Sequence, residues 1–285
     1  MTIIIRSFES RADVLFAESL TQKENWRSET IQEINILFEY DPSGCLIAEK
    51  DNQPVGICIA TAYKNNGSIG ELIVSPSARR SGIGHQLMSI AIQYLQNKGI
   101  RQIYLDAVLK AVPLYEGFGF EKITRSLRFF GQVPAISSPD VFPITLNELP
   151  AILEIDQNVF GENRSFFLKK RIQNYPHLNY YLKNNQGIQS YLFGRQGRGG
   201  WITVGPWINL QTAEIGLSLL HHFQYQIGNQ PFSMGVLATN QSAVQIIVVN
   251  GLMPQPDPPI RMALNTQENL GSSYQNYAIG SPAKG

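Results

Sequence analysis

Sulfur, one-sided charge and long apolar runs are all scarce in this 285-residue chain. The only cysteines, Cys45 and Cys58, both sit in apolar, strand-like segments. That pattern excludes a disulfide-stapled scaffold and points to buried thiols in a reducing, cytoplasmic setting. Basic residues number 23 and acidic ones 22, for a net charge of +1. So even a balance gives neither a basic footprint for nucleic acid nor an acidic tail. No apolar run approaches the ~20 residues of a membrane span. The opening MTIIIRSFES lacks the basic start, apolar core and small-residue cleavage site of a secretory signal. The histidines show no metal-ligand spacing, and His221-His222 reads as a helix surface pair. No nucleic acid, membrane or metal partner is therefore expected.

What is present is an ordinary apolar share, 43%, and a length that fits about two domains of roughly 100–200 residues. A strand at 3–8 is followed by two helical stretches, SRADVLFAESL and ETIQEINILFEY. A hairpin folds around Asp51-Asn52-Gln53-Pro54, and a strand runs from Ser68 to Val74. The apolar residues Ile83, Leu87, Ile90, Ala91 and Leu95 recur at helical spacing through Lys98. A strand at 102–108, a short helical segment at 110–117 and a strand at 120–130 complete the first half. Residues 132–142, QVPAISSPDVF, carry prolines and serines without periodicity and mark a linker between domains at 1–131 and 143–265. The second half again mixes helices and strands, and 266–285 reads as a flexible tail. Strands alternating with helices, with hairpins among them, predict α/β (α+β) domains built on mixed sheets flanked by helices.

The richest stretch is Leu72-Ile-Val-Ser-Pro-Ser-Ala-Arg-Arg-Ser-Gly-Ile-Gly-His85. A strand runs into a loop with two glycines, and a helix starts at once. A helix N-terminus offers unpaired N–H groups and partial positive charge. Gly82 and Gly84 let the backbone approach an anion, and Arg79 and Arg80 add guanidinium donors at the rim. Phosphate or pyrophosphate is the implied ligand, with Ser81 placed either to bond it or to cap the helix. The spacing is neither that of a P-loop nor the three-glycine dinucleotide fingerprint, since position 87 is Leu.

Arg79-Arg-Ser-Gly82-Ile-Gly84 resembles the [Gln/Arg]-x-x-Gly-x-[Gly/Ala] signature of the GNAT superfamily of N-acetyltransferases. Pro113-Leu-Tyr-Glu-Gly-Phe-Gly-Phe120 resembles its second signature, Leu-Tyr-x-x-x-Gly-Phe. The likeness covers roughly residues 1–130 and implies a mostly antiparallel central sheet. It implies that Leu72, Ile73 and Val74 pair with a pantetheine arm and that amides from Arg79 through Ile83 to His85 hold the pyrophosphate of acetyl-CoA, the co-substrate. Leu109-Lys110-Ala111 stands where many relatives carry Asn. Transfer to an amine needs a base, because an alkyl amine is mostly protonated at neutral pH. Glu71, on the strand whose edge faces the acyl group, is the candidate, with a solvated outward carboxylate as the alternative and Asp106 a weaker choice. The family likeness places Tyr115 near the CoA sulfur, as the acid for the leaving thiolate.

Residues 143–265 resemble a degenerate second module of the YitH-like two-domain type. Asn240-Gln-Ser-Ala243 keeps part of one signature, but Val204-Gly-Pro-Trp-Ile-Asn-Leu-Gln-Thr-Ala replaces the phosphate loop. This half either stabilises the enzyme or a homodimer, or walls the acceptor pocket, in which case Asp156, Glu162 and Arg164 would read the acceptor. An ion pair of Arg164 with either carboxylate is the structural alternative. Trp201, Trp207 and Tyr191 fit a core better than a stacking surface. The implied activity is N-acetyl transfer from acetyl-CoA to a primary amine of a small molecule or peptide. The alternative is a non-catalytic acyl-CoA-binding sensor.

Overall fold

The computed structural model of the chain describes residues 2–265 and 274–281. The first half runs β1 (Ile3–Ser7), α1 (Arg11–Lys23), α2 (Ile31–Tyr40), β2 (Cys45–Lys50), β3 (Gln53–Ala62), β4 (Asn66–Val74), α3 (Ile83–Asn97), β5 (Gln102–Ala107), α4 (Val112–Glu116) and β6 (Glu121–Gly131). The second runs β7 (Val141–Pro143), α5 (Leu149–Phe160), α6 (Ser165–Asn174), β8 (Asn179–Asn184), β9 (Gly187–Gln196), β10 (Ile202–Asn209), α7 (Ala213–Ile227), β11 (Phe232–Leu237), α8 (Gln241–Val249), β12 (Met253–Pro254), β13 (Ile260–Leu264) and β14 (Asn276–Ala278).

Local chemistry accounts for the starts. Ser10 accepts from the Ala12 N–H, and Asp13 reaches back to the Ser10 amide, a capping box on α1. Arg6 then fixes Asp13 at 2.9 Å. The apolar stripe of α3 buries Leu87, Met88, Ala91 and Leu95 against β2–β4. Helices α1 and α2 cover the other face through Val14, Leu20, Ile34 and Leu37.

All strands described join one sheet, in the order β1-β2-β3-β4-β5-β13-β6-β11-β10-β9-β8-β7, with β12 on β6 and β14 on β10. The boundary expected at 132–142 does not divide this sheet. Strand β13, from the second half, lies antiparallel between β5 and β6, pairing Ile260 with Ala107 and Arg125. The far part of β6 pairs with β11 instead, Phe130 opposite Ser233. Chain order assigns β13 to the second module because it comes after the helix and strand of that module. Its alternating apolar face is satisfied equally well by the gap left in the first.

The linker is docked rather than free. Val133 N–H donates to Gln224 Oε1 at 3.1 Å and Ser138 N–H to His222 Nδ1 at 3.0 Å. His222 is buried, which corrects the expectation of a surface pair. Of the segment expected to be a loose tail, 266–273 and 282–285 lie outside the described residues, but 276–278 form β14 and Ala278 is fully buried. Among the described residues no helix is long and apolar enough to cross a membrane.

Candidate active site

Strands β4 and β5 pair in parallel only over Asn66–Ser68 and Gln102–Tyr104. Beyond Ser68 they part, so the β5-facing edge of Leu72, Ile73 and Val74 has no ladder partner among the described residues. The divergence begins at an irregularity in the β3–β4 register, where Glu71 adopts φ +52°. A left-handed glutamate in a strand is a bulge residue, and the bulge re-aims its side chain. Glu71 is buried and lines a cavity of about 660 Å³.

At the end of β4 the chain turns through Ser75–Ser81 into α3. Gly82, at φ +80°, is the residue before the first helical turn. Among the described residues the N–H groups of Arg80, Ser81, Gly82, Ile83, Gly84 and His85 meet no acceptor. A Cβ on Gly84 would find nothing closer than Val74 Cγ2 at 3.9 Å. Packing within the protein does not ask for glycine there, whereas a ligand seated on the amides does.

Tyr115 lies on α4 with its ring 6.2 Å from that of Phe120. It is 8% exposed, and its hydroxyl meets no hydrogen-bond partner among the described residues. Burial raises its pKa, so it stays protonated at neutral pH. Asp106, on β5, takes Arg261 Nε at 2.5 Å, Arg128 Nη2 at 2.7 Å and Ser126 Oγ at 2.6 Å. Burial opposes ionisation, but these two arginines and the serine prevail and hold the carboxyl at about 2. An acid that strong accepts no proton near pH 7, which removes Asp106 as a base.

The cavity itself lies where the halves meet. Its walls combine Trp26 and Glu29 from the α1–α2 connection, Glu71 from β4, and Arg195 and Trp201 from the second half. Arg195 is fixed by Glu29 at 3.1 Å and by the Gly280 carbonyl at 2.6 Å.

Comparison with known proteins bears on family and fold. The acetyltransferase (GNAT) family model matches residues 11–120, and a second acetyltransferase (GNAT) domain model matches 152–278. The chain belongs to the GNAT superfamily. A mycothiol acetyltransferase of Acidimicrobium ferrooxidans is 29% identical over 121 residues, 40% of this chain and 39% of that protein. The N-alpha-acetyltransferase 30 of Dictyostelium discoideum is 24% identical over 130 residues, 43% of this chain and 70% of that protein. The chain thus spans about two-fifths of the first relative's length. A crystal structure from Pyrococcus horikoshii superposes with TM-score 0.84 at 21% identity, covering 99% of this chain and 96% of its own. A tandem GNAT protein of clavulanic acid biosynthesis gives 0.66 at 11% identity, covering 94% and 100%. These last two likenesses establish the fold, a GNAT-like sheet in tandem.

Within this GNAT framework the expected site residues part company. The amides of 80–85 lack acceptors among the described residues, but the side chains differ from expectation. Arg79 turns back, its Nε donating to the Val74 carbonyl at 2.9 Å and its Nη2 meeting Glu24. It braces the loop instead of reaching outward. Ser81 donates to the Ala78 carbonyl at 2.6 Å and does not cap α3. The His85 ring lies tilted against that of Phe118, with centroids 4.5 Å apart. Arg80 stays exposed at the rim.

Asp156, Glu162 and Arg164 do not line the cavity. Arg164 makes two bonds to Asp156, at 2.8 and 2.7 Å, with both side chains almost wholly buried. Glu162 accepts the N–H groups of Lys64, Asn65 and Asn66 at the β3–β4 turn. The Glu162 contact clamps the halves, and the Arg164–Asp156 pair ties α5 to the start of α6 within the second half, so the acceptor-reading role is corrected to a structural one. Trp207 and Tyr191 are core, whereas Trp201 lies at the cavity with Arg27 4.6 Å above its ring. Sequence reasoning missed Glu29, Arg128 and Arg195. They come from three distant segments, and no spacing in the chain links them.

Proposed function

We propose that the protein is an acetyl-CoA-dependent N-acyltransferase acting on a primary amine, of a small molecule or peptide, that enters the cavity between the halves. The single observation that carries the reading is the coincidence at one wedge of six free amides, an unpaired strand edge and the bulged Glu71. The residues present suit acetyl-CoA: the amides of 80–85 would hold its pyrophosphate and the edge of 72–74 its pantetheine arm. When bound, it supplies a thioester whose sulfur leaves as a thiolate.

Around it the chain's own groups divide the work. Glu71, facing the cavity, takes a proton from the incoming ammonium, directly or through water, and leaves the nitrogen lone pair free to attack. Tyr115, held protonated by burial, gives its proton to the departing sulfur. The walls from both halves exclude bulk water, which favours transfer over hydrolysis.

Thiol release from acetyl-CoA across a panel of amines tests the reading. Tyr115→Phe should lower turnover roughly a hundredfold while CoA still binds by calorimetry. Tight CoA binding with no amine accelerating thiol release would instead favour a sensor.

A further inference from the structure

Arg128, on β6, lines the cavity on the same wall system as Glu71, and its side chain is 24% exposed. Its guanidinium is fixed before any ligand arrives. Nη2 donates to Asp106 Oδ2 at 2.7 Å, and Nη1 donates to Ser126 Oγ at 2.7 Å and to the Ser126 carbonyl at 3.2 Å. Gly235, on the facing strand β11, leaves the room the group fills, since a Cβ there would sit 2.8 Å from Nη1. Nη1 is spent on Ser126 and the Leu127 carbonyl, so among the described residues Nε and the second hydrogen of Nη2 stay uncommitted, the side-on pair of donors suited to a carboxylate, sulfonate or phosphate.

The carboxylate of Asp106 is shared. Arg261 occupies the other oxygen of Asp106 at 2.5 Å. Two guanidinium groups therefore share one carboxylate, and among the described residues neither has another ion-pair partner. Glu71 and Asp257 also line the cavity, so its wall offers carboxylates to an ammonium as well as Arg128 to an anion. Glu29, the remaining carboxylate of the lining, is committed to Arg195.

We infer that the acceptor is an amine that also carries an anionic group, held by Arg128 while its nitrogen faces Glu71. The inference rests on the transferase reading above and narrows its substrate class to amino acids and their sulfonate or phosphate analogues. The cavity, about 660 Å³, is large enough for such a molecule.

Amines matched in chain length provide the test: 4-aminobutyrate against butylamine, taurine against ethylamine, and O-phosphoethanolamine against ethanolamine. For at least one pair the anionic member should show a kcat/KM on the order of tenfold higher, since a charge-assisted bond is worth that much. Arg128→Gln should collapse that ratio through the KM of the anionic member, and Arg128→Lys should recover part of it. Gly235→Ala, which pushes the guanidinium aside without removing its charge, should collapse it as well. Thermal unfolding checks that each variant is folded. A preference for the neutral twin in every pair, or a ratio that survives Arg128→Gln, overturns the inference. If no amine consumes acetyl-CoA, the transferase reading fails instead. Calorimetry of the same three anions with CoA-saturated protein then decides this one: binding lost in Arg128→Gln upholds it, and no binding overturns it.

Discussion

In the first half, β4 and β5 pair over three residues and then part; in the second, β10 and β11 pair over Ile202–Val204 and Phe232–Met234 and part in the same way. Each opening begins at a bulge. In the first it carries Glu71; in the second it falls between Val204 and Trp207, at Gly205 and Pro206. Past the bulges the two halves have nothing in common. Beyond β4 comes a glycine turn with bare amides, and the wedge is open. Beyond β10 the chain's own C-terminal segment fills the gap: β14 pairs with Trp207 and Ile208, and Ile279 N–H donates to the Gly235 carbonyl at 2.9 Å. A Cβ on Gly205 would lie 2.0 Å from the Ile279 carbonyl oxygen, so glycine there serves the plug. A wedge in a sheet is a vacancy of backbone hydrogen bonds, and a protein can satisfy it with a ligand or with itself.

The largest expected effect comes from separating the halves. A chain ending at Gly131 lacks β13, leaving β5 and the start of β6 without their shared partner. It should show no cooperative unfolding transition by circular dichroism, and co-expression with 132–285 should restore one. An independently folded first half would break the comparison, because the halves would then be separate modules.

Next is removal of the plug. Truncation after Gln275 deletes β14 with Tyr277, whose ring lies 4.9 Å from that of buried Trp207. The loss should be roughly 3–5 kcal/mol, comparable to deleting a large core side chain, read by chemical denaturation. The emptied wedge should still bind no CoA, since its loop lacks the glycine turn.

Filling the first wedge comes third. Gly84→Leu puts a side chain where the amides converge and should weaken CoA binding on the order of tenfold to thirtyfold by calorimetry, with little change in melting temperature. Gly205 should behave in the opposite way, since a side chain there collides with Ile279 and costs stability, leaving CoA affinity alone.

The smallest effects are in acid. Asp106, at about 2 in the fold against 3.8 ordinarily, contributes about 2 kcal/mol that is present above pH 4 and lost as pH falls toward 2. His222 has its pKa lowered by burial, so the unfolded chain binds its proton first and stability declines as pH drops through 6.5. Stability measured against pH should therefore fall in two separate windows. Asp106→Asn should flatten the lower one and His222→Gln the upper.

Much of the fold was legible in the chain. Spacing of apolar residues located α3, and the strand–glycine turn–helix succession located the turn whose amides lack acceptors among the described residues, because both depend on neighbours within a few residues. Glu71 was identified by its strand, but not its orientation, since a bulge inverts strand parity and leaves no mark in composition. Arg79 was expected at the rim and Ser81 either on phosphate or capping α3, and the inward hydrogen bonds to the Val74 and Ala78 carbonyls follow neither expectation.

Sequence by itself determined the elements, the two-part plan and the turn at 79–85, since these stem from short-range periodicity and backbone chemistry. Only the tertiary structure decided that β13 belongs to the first half's sheet, that β14 closes the second wedge, and that Arg128, Glu29 and Glu71 share one cavity. Those outcomes depend on which unpaired strand edges and buried charges meet across a hundred or more residues, and such meetings are set by the energy of the whole assembly rather than by any segment within it.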